Sequence, residues 1–246
     1  MDKFTFEYKK RKIDVDVIYR NRKSISLRII PKEKIQVIAP IKTSKEVIEN
    51  LLKKHSTWIE NKLNDFKNVD EDLISKKYIE GEKFFYLGDI KHLKIIKDKN
   101  IYNEKNYIYI ELKNQNIEIR TNNWSEDYLK ESLKRWYKLK SEDIVMDRIT
   151  YLRKHSSIFR HINPNLVKVK EQKKIWGSCN SKKNIYLNSR LSMLPIEVID
   201  YIIVHEFCHI IYLNHSKEFY KLVESIIPNY KEIVEWLKKN NYKFIL

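Results

Sequence analysis

At 246 residues, 42% of them hydrophobic and 12% aromatic, the chain is long enough to bury a full core and too apolar to be disordered. Two cysteines, Cys179 and Cys208, exclude a disulfide framework, and no apolar stretch reaches the length of a bilayer span. The formal charge of +16 sits in short mixed runs such as Lys9-Lys10-Arg11-Lys12, which leaves a nucleic-acid partner open beside a solvated surface or the biased usage that allows one alanine, Ala39.

The start, Met1-Asp2-Lys3-Phe4-Thr5, has no apolar signal core, so a soluble, cytoplasmic protein without membrane contact is expected. Ile13-Val15-Val17, Ile25-Leu27-Ile29 and Ile35-Val37 alternate with polar residues at the period of half-buried strands and predict an N-terminal sheet. Thr43-Ser44-Lys45-Glu46 reads as a helix start, and Val47, Ile48, Leu51, Leu52, Trp58, Ile59 and Leu63 continue at helical spacing to about Phe66. Residues 68–77 read as a connection, and Gly81 and Gly88 bracket the aromatic piece Phe84-Phe85-Tyr86-Leu87. Alternation returns at His92-Leu93-Lys94-Ile95, Tyr107-Ile108-Tyr109-Ile110 and Ile117-Glu118-Ile119.

Ser125-Glu126 opens a long amphipathic helix through Leu129, Leu133, Trp136, Tyr137, Ile144 and Ile149 that ends near His155. Leu166-Val167-Lys168-Val169 and Asn184-Ile185-Tyr186-Leu187-Asn188 read as strands. Pro195 suits the first turn of an apolar helix. Helical spacing returns at Phe219-Tyr220-Leu222-Val223 and again around Trp236 and Leu237. The class that follows is α+β, with a mostly antiparallel β-rich region over residues 1–120, containing one helix at about 43–66, and a helix-and-sheet domain over 121–246.

Within the apolar helix stands His205-Glu206-Phe207-Cys208-His209, with His215 six residues later. Histidines four apart share one helix face, so both imidazoles reach a single tetrahedral zinc, and Glu206 lies where it can take a proton from a water on that metal. Continuing the helix to His215 would carry that residue roughly 9 Å along the axis and about 120° around it, so the helix must stop. Asn214 is the expected stop, as a residue that tolerates the left-handed conformation, and Ser216 can cap a new helix. Desolvating two histidines and a glutamate in an apolar run is costly without a partner, and a metal supplies one. Three histidines and a water complete such a site, so both cysteines read as small buried residues.

Arg190, Tyr201 and Tyr212 are candidates to steady an oxyanion, and Trp176-Gly177-Ser178 offers a backbone edge that a peptide could approach. The alternative reading of that tripeptide is a tight turn that buries Trp176.

Trp176-Gly177-Ser178-Cys179, Ile185-Tyr186-Leu187-Asn188-Ser189-Arg190-Leu191, Pro195, the His205-Glu206-Phe207-Cys208-His209 core and Asn214-His215-Ser216 through Phe219-Tyr220 together resemble the YgjP-like metallopeptidases, relatives of the SprT-like and WLM zinc proteases. Val37-Ile38-Ala39-Pro40, Trp58-Ile59 and Tyr86-Leu87-Gly88 extend the resemblance over nearly the whole chain. Phe207 stands where the family usually has leucine. The resemblance implies a zincin-like domain with the motif helix in its core, one zinc ion per chain on His205, His209 and His215, Glu206 as the catalytic residue, and a peptide or protein substrate. Trp176, Gly177, Ser178, Arg190 and Tyr212 are the candidate substrate contacts. Annotations of relatives keep two alternatives in view, a metal-dependent nucleoside triphosphate pyrophosphatase and a DNA-associated protease or binding module. The chain's three glycines and lack of a glycine-rich phosphate loop speak against the first.

Overall fold

The computed structural model describes residues 2–9, 11–30, 34–67, 76–98 and 107–246; most of the connection read at 68–77 lies outside them. Contacts divide the chain into two compact units, residues 1–71 and 72–246.

In the first unit, strands β1 (Asp2–Tyr8), β2 (Arg11–Arg20), β3 (Ser26–Ile30) and β4 (Lys34–Pro40) form a sheet in the order β1-β2-β4-β3. The alternation places Val15 opposite Ile35 and Val17 opposite Val37 across a parallel β2–β4 pair, and all four are buried. The expected single helix is two, α1 (Lys45–Lys54) and α2 (Ser56–Lys67), separated at His55. Ser44, rather than Thr43, caps α1 by accepting the Val47 N–H. Ile48 and Leu52 of α1 join Ile59 and Leu63 of α2 in the apolar core of this unit.

The second unit holds β5 (Lys83–Tyr86), β6 (Asp89–Lys97), β7 (Ile108–Lys113) and β8 (Asn116–Thr121) in the order β5-β6-β8-β7, and β9 (Leu166–Lys170), β10 (Gly177–Cys179) and β11 (Asn184–Asn188) in the order β10-β11-β9. Its helices are α3 (Glu126–His155), α4 (Ser157–Arg160), α5 (Ile196–Cys208), α6 (Lys217–Ile226) and α7 (Tyr230–Asn240). The fold is mixed α+β. Each of the three sheets contains one parallel pair, β2–β4, β6–β8 or β11–β9, among antiparallel ones. The contact boundary also falls earlier than residue 120, because Leu93, Ile117 and Ile119 share one core with Leu129 and Leu133 of α3. Burial against α3 therefore draws the second sheet to the C-terminal half.

Two devices fix α5. Arg148 of α3 grips Asp200 with paired 2.7 Å hydrogen bonds from Nε and Nη2. The β5–β6 turn donates Leu87 and Gly88 N–H groups to the carbonyls of Ser192 and Met193, in the 3-10 turn that leads into α5. Gly88 has φ +87°, and a Cβ there would lie 2.8 Å from Pro195 Cγ, so only glycine allows this approach. Pro195 is the N-cap of α5 rather than its first helical residue. Among the described residues, no helix is long and apolar enough to cross a membrane.

Candidate metal centre

Helix α5 ends at Cys208, and its last turn tightens through Ile210 N–H to Phe207 O and Ile211 N–H to Cys208 O, bonds of three-residue span. Asn214 is not among the residues of positive φ, so the expected left-handed stop is replaced by this tightening. Ser216 caps α6 as expected, accepting the Phe219 N–H at 3.2 Å. The chain between the two helices returns His215 to the end of α5.

There the ligand atoms of His205, His209 and His215 all lie within 4.8 Å of one another, and the Nε2 atoms of His205 and His215 are 3.1 Å apart. Zinc–nitrogen bonds of about 2.0–2.1 Å put tetrahedral ligands about 3.3 Å apart, so the His205–His215 pair already stands close to that spacing and the wider separations would close in around an ion. His209 Nδ1 lies 3.0 Å from the Tyr212 carbonyl oxygen, and His205 Nδ1 lies 3.2 Å from the Tyr201 hydroxyl. Those contacts occupy the outer ring nitrogens and leave the inner ones to converge. Burial, and then the neighbouring imidazoles His209 and His215, push His205 down to about 3; burial also lowers His209. Both are therefore neutral at pH 7, the form in which imidazole binds metal.

Phe219 was not singled out as a site residue, yet its buried ring lies 4.5–5.0 Å from all three imidazoles and stacks on that of His209. The Ser216 cap holds the same residue, so the start of α6 builds the floor of the cluster.

Glu206 is 6% exposed, and among the described residues nothing donates a hydrogen bond to its carboxylate. Burial pushes its carboxyl up to about 7. Gly177 of β10 packs directly on it: a Cβ at that position would sit 2.6 Å from Glu206 Cγ and Oε1. Glycine is thus required at 177 by the carboxylate, a tertiary reason that the tripeptide reading did not contain.

The other candidates are dispersed. Ser178 and Cys179 pair with Tyr186 and Ile185 across the β10–β11 ladder, which leaves β10 as an edge strand. Trp176 packs edge-on against Phe244, with the Arg190 guanidinium 5.3 Å from its ring centre. Arg190 donates to the carbonyls of Phe244 at 2.8 Å and Gln172 at 3.2 Å and to Asn188 Oδ1 at 3.4 Å, so its guanidinium is spent on structure. Tyr212 is half-buried, and its carbonyl rather than its phenol reaches the cluster. Cys208 is buried and Cys179 half-buried, and neither forms a disulfide.

The family model of the YgjP-like metallopeptidase domain matches residues 23–240. No curated protein matches the chain. Among solved structures, the chain is similar to the crystal structure of the metallopeptidase zymogen of Pyrococcus abyssi abylysin, at 24% identity, over 39% of this chain and 93% of that one, with a TM-score of 0.33. With nearly its whole length matched, this chain belongs to the YgjP-like metallopeptidase domain family.

Proposed function

We propose that the protein is a zinc-dependent peptidase with a zincin-like site, in which His205, His209 and His215 hold one zinc ion and Glu206 is the general base. The observation that carries this reading is the convergence of three ring nitrogens within 4.8 Å, next in sequence to a buried carboxylate that no side chain satisfies among the described residues. When bound, zinc supplies Lewis acidity, polarising a carbonyl oxygen and bringing the ionisation of water near neutral pH.

The chain's own groups do the rest. Glu206, pushed up to about 7, is matched to accept a proton from the attacking water and to return it to the leaving amine nitrogen as the C–N bond breaks. Gly177 lets the carboxylate lie against strand β10, which is an edge strand of its sheet among the described residues and offers main-chain groups with which an extended peptide would pair. A substrate paired there lies beside the proton acceptor, which is why a peptide or protein is the favoured substrate class.

Zinc analysis of protein purified without added metal tests the ligands. About one zinc per chain, falling sharply in His215→Ala, is the expected result. Glu206→Gln should retain the metal and lose hydrolysis of casein-like substrates. Absence of zinc, or full hydrolysis by Glu206→Gln, would end this reading.

A further inference from the structure

The geometry points to Tyr201 as a positioning residue for the metal centre: its hydroxyl, 3.2 Å from His205 Nδ1, holds that ring in either tautomer, including the one that presents the Nε2 lone pair to the cluster. This inference rests on the zinc reading above. Tyr201 lies four residues before His205 on α5, so helical spacing brings the two side chains together. It is 8% exposed, and His205 Nδ1 is the partner of its hydroxyl among the described residues.

A hydroxyl is suited to this place because it both donates and accepts. Without metal, the Nε2 atoms of His205 and His215 face each other at 3.1 Å, and two bare lone pairs repel, so one nitrogen carries a proton. If that nitrogen is His205 Nε2, then Nδ1 is an acceptor and the phenol O–H donates to it. To bind a cation through Nε2, His205 must carry its proton on Nδ1 instead, and the phenol oxygen then accepts. One proton leaves Nε2, one arrives on Nδ1, and the ring stays neutral. A carbonyl can serve only the second form. His209 has such a carbonyl, that of Tyr212 at 3.0 Å, and is fixed in the metal-ready tautomer from the outset. When the shared proton sits on His205 Nε2, His205 is the ligand whose tautomer must adapt, and Tyr201 satisfies its Nδ1 both before and after.

Zinc affinity of the full chain, measured by competition with a chelator, tests this. Tyr201→Phe is expected to bind zinc about 10–100-fold more weakly than wild type, while the same change at Tyr230, whose ring stacks on Tyr220 and not on a histidine of the cluster, stays within about twofold. Nitrogen-15 spectra of the zinc-loaded wild type should show His205 protonated on Nδ1, with that proton protected from exchange as in His209; this readout needs no variant to fold. Wild-type affinity in Tyr201→Phe, or a rapidly exchanging His205 Nδ1 proton, overturns the inference and leaves the zinc reading intact. If wild type takes up no zinc, the zinc reading fails and this inference with it.

Discussion

The turn before β5 and the strand β8 each bury a glutamate that has found partners, whereas the end of α5 buries one that has none among the described residues. Glu82 accepts the backbone N–H groups of Lys77, Tyr78 and Ile79. Glu118, 5% exposed, receives the Lys94 ammonium at 3.0 Å, and that hydrogen bond holds its carboxyl below the usual carboxylate range. Glu206 is as deep, and burial alone pushes it up to about 7. Taking a carboxylate out of water without a partner opposes folding. The first two glutamates anchor structure, while the third is the one to which the proposed function gives the proton-transfer role.

The largest expected effect separates the third from the others. Glu206→Gln should lower peptide hydrolysis by about 10²–10⁴-fold, as for loss of a general base, while Glu118→Gln leaves it within the range of a surface change. Equal losses in steady-state assays would erase the distinction. A smaller effect comes from the neighbour that makes room for the carboxylate. Gly177→Ala puts a methyl 2.6 Å from Glu206 Oε1, so the carboxylate must shift. Displacement on the order of 1 Å costs about 100-fold in rate, with zinc content unchanged. A fully active Gly177→Ala enzyme would show that this contact does not set the position of Glu206.

The smallest effects have opposite signs. Removing the acceptor for three N–H groups, Glu82→Ala should destabilise the protein by about 1–3 kcal/mol in denaturant titration. Glu206→Gln should stabilise the metal-free protein by about 0.5–2 kcal/mol, as relief of a functional site does. Destabilisation in both would mean that Glu206 has a partner after all.

What the sequence disclosed follows from the range of the interactions involved. The period of two at Val15-Val17 and Ile35-Val37, and the helical spacing from Leu129 to Ile149, are local patterns, and the observed strands and α3 follow them. Phe4, Phe6 and Tyr8 alternate in the same way in β1. The break at His55 and the stop after Cys208 depend on main-chain geometry that side-chain patterns do not encode. In the site, His205, His209 and His215 come together because two share a helix face and the third follows within one short turn. Gly177 against Glu206 and Phe219 beneath three rings are tertiary contacts. Arg190 is a charge near the motif in sequence, but its donors go to the Phe244 and Gln172 carbonyls and to the Asn188 side chain.

Zinc-edge anomalous diffraction from crystals of the zinc-loaded protein tests the central claim most directly. The account predicts one peak per chain, about 2.0–2.1 Å from a ring nitrogen of each of His205, His209 and His215, with Glu206 beside it and not bonded to it. A peak that lacks His215, or one completed by the sulfur of Cys179 or by the Glu206 carboxylate, would contradict it.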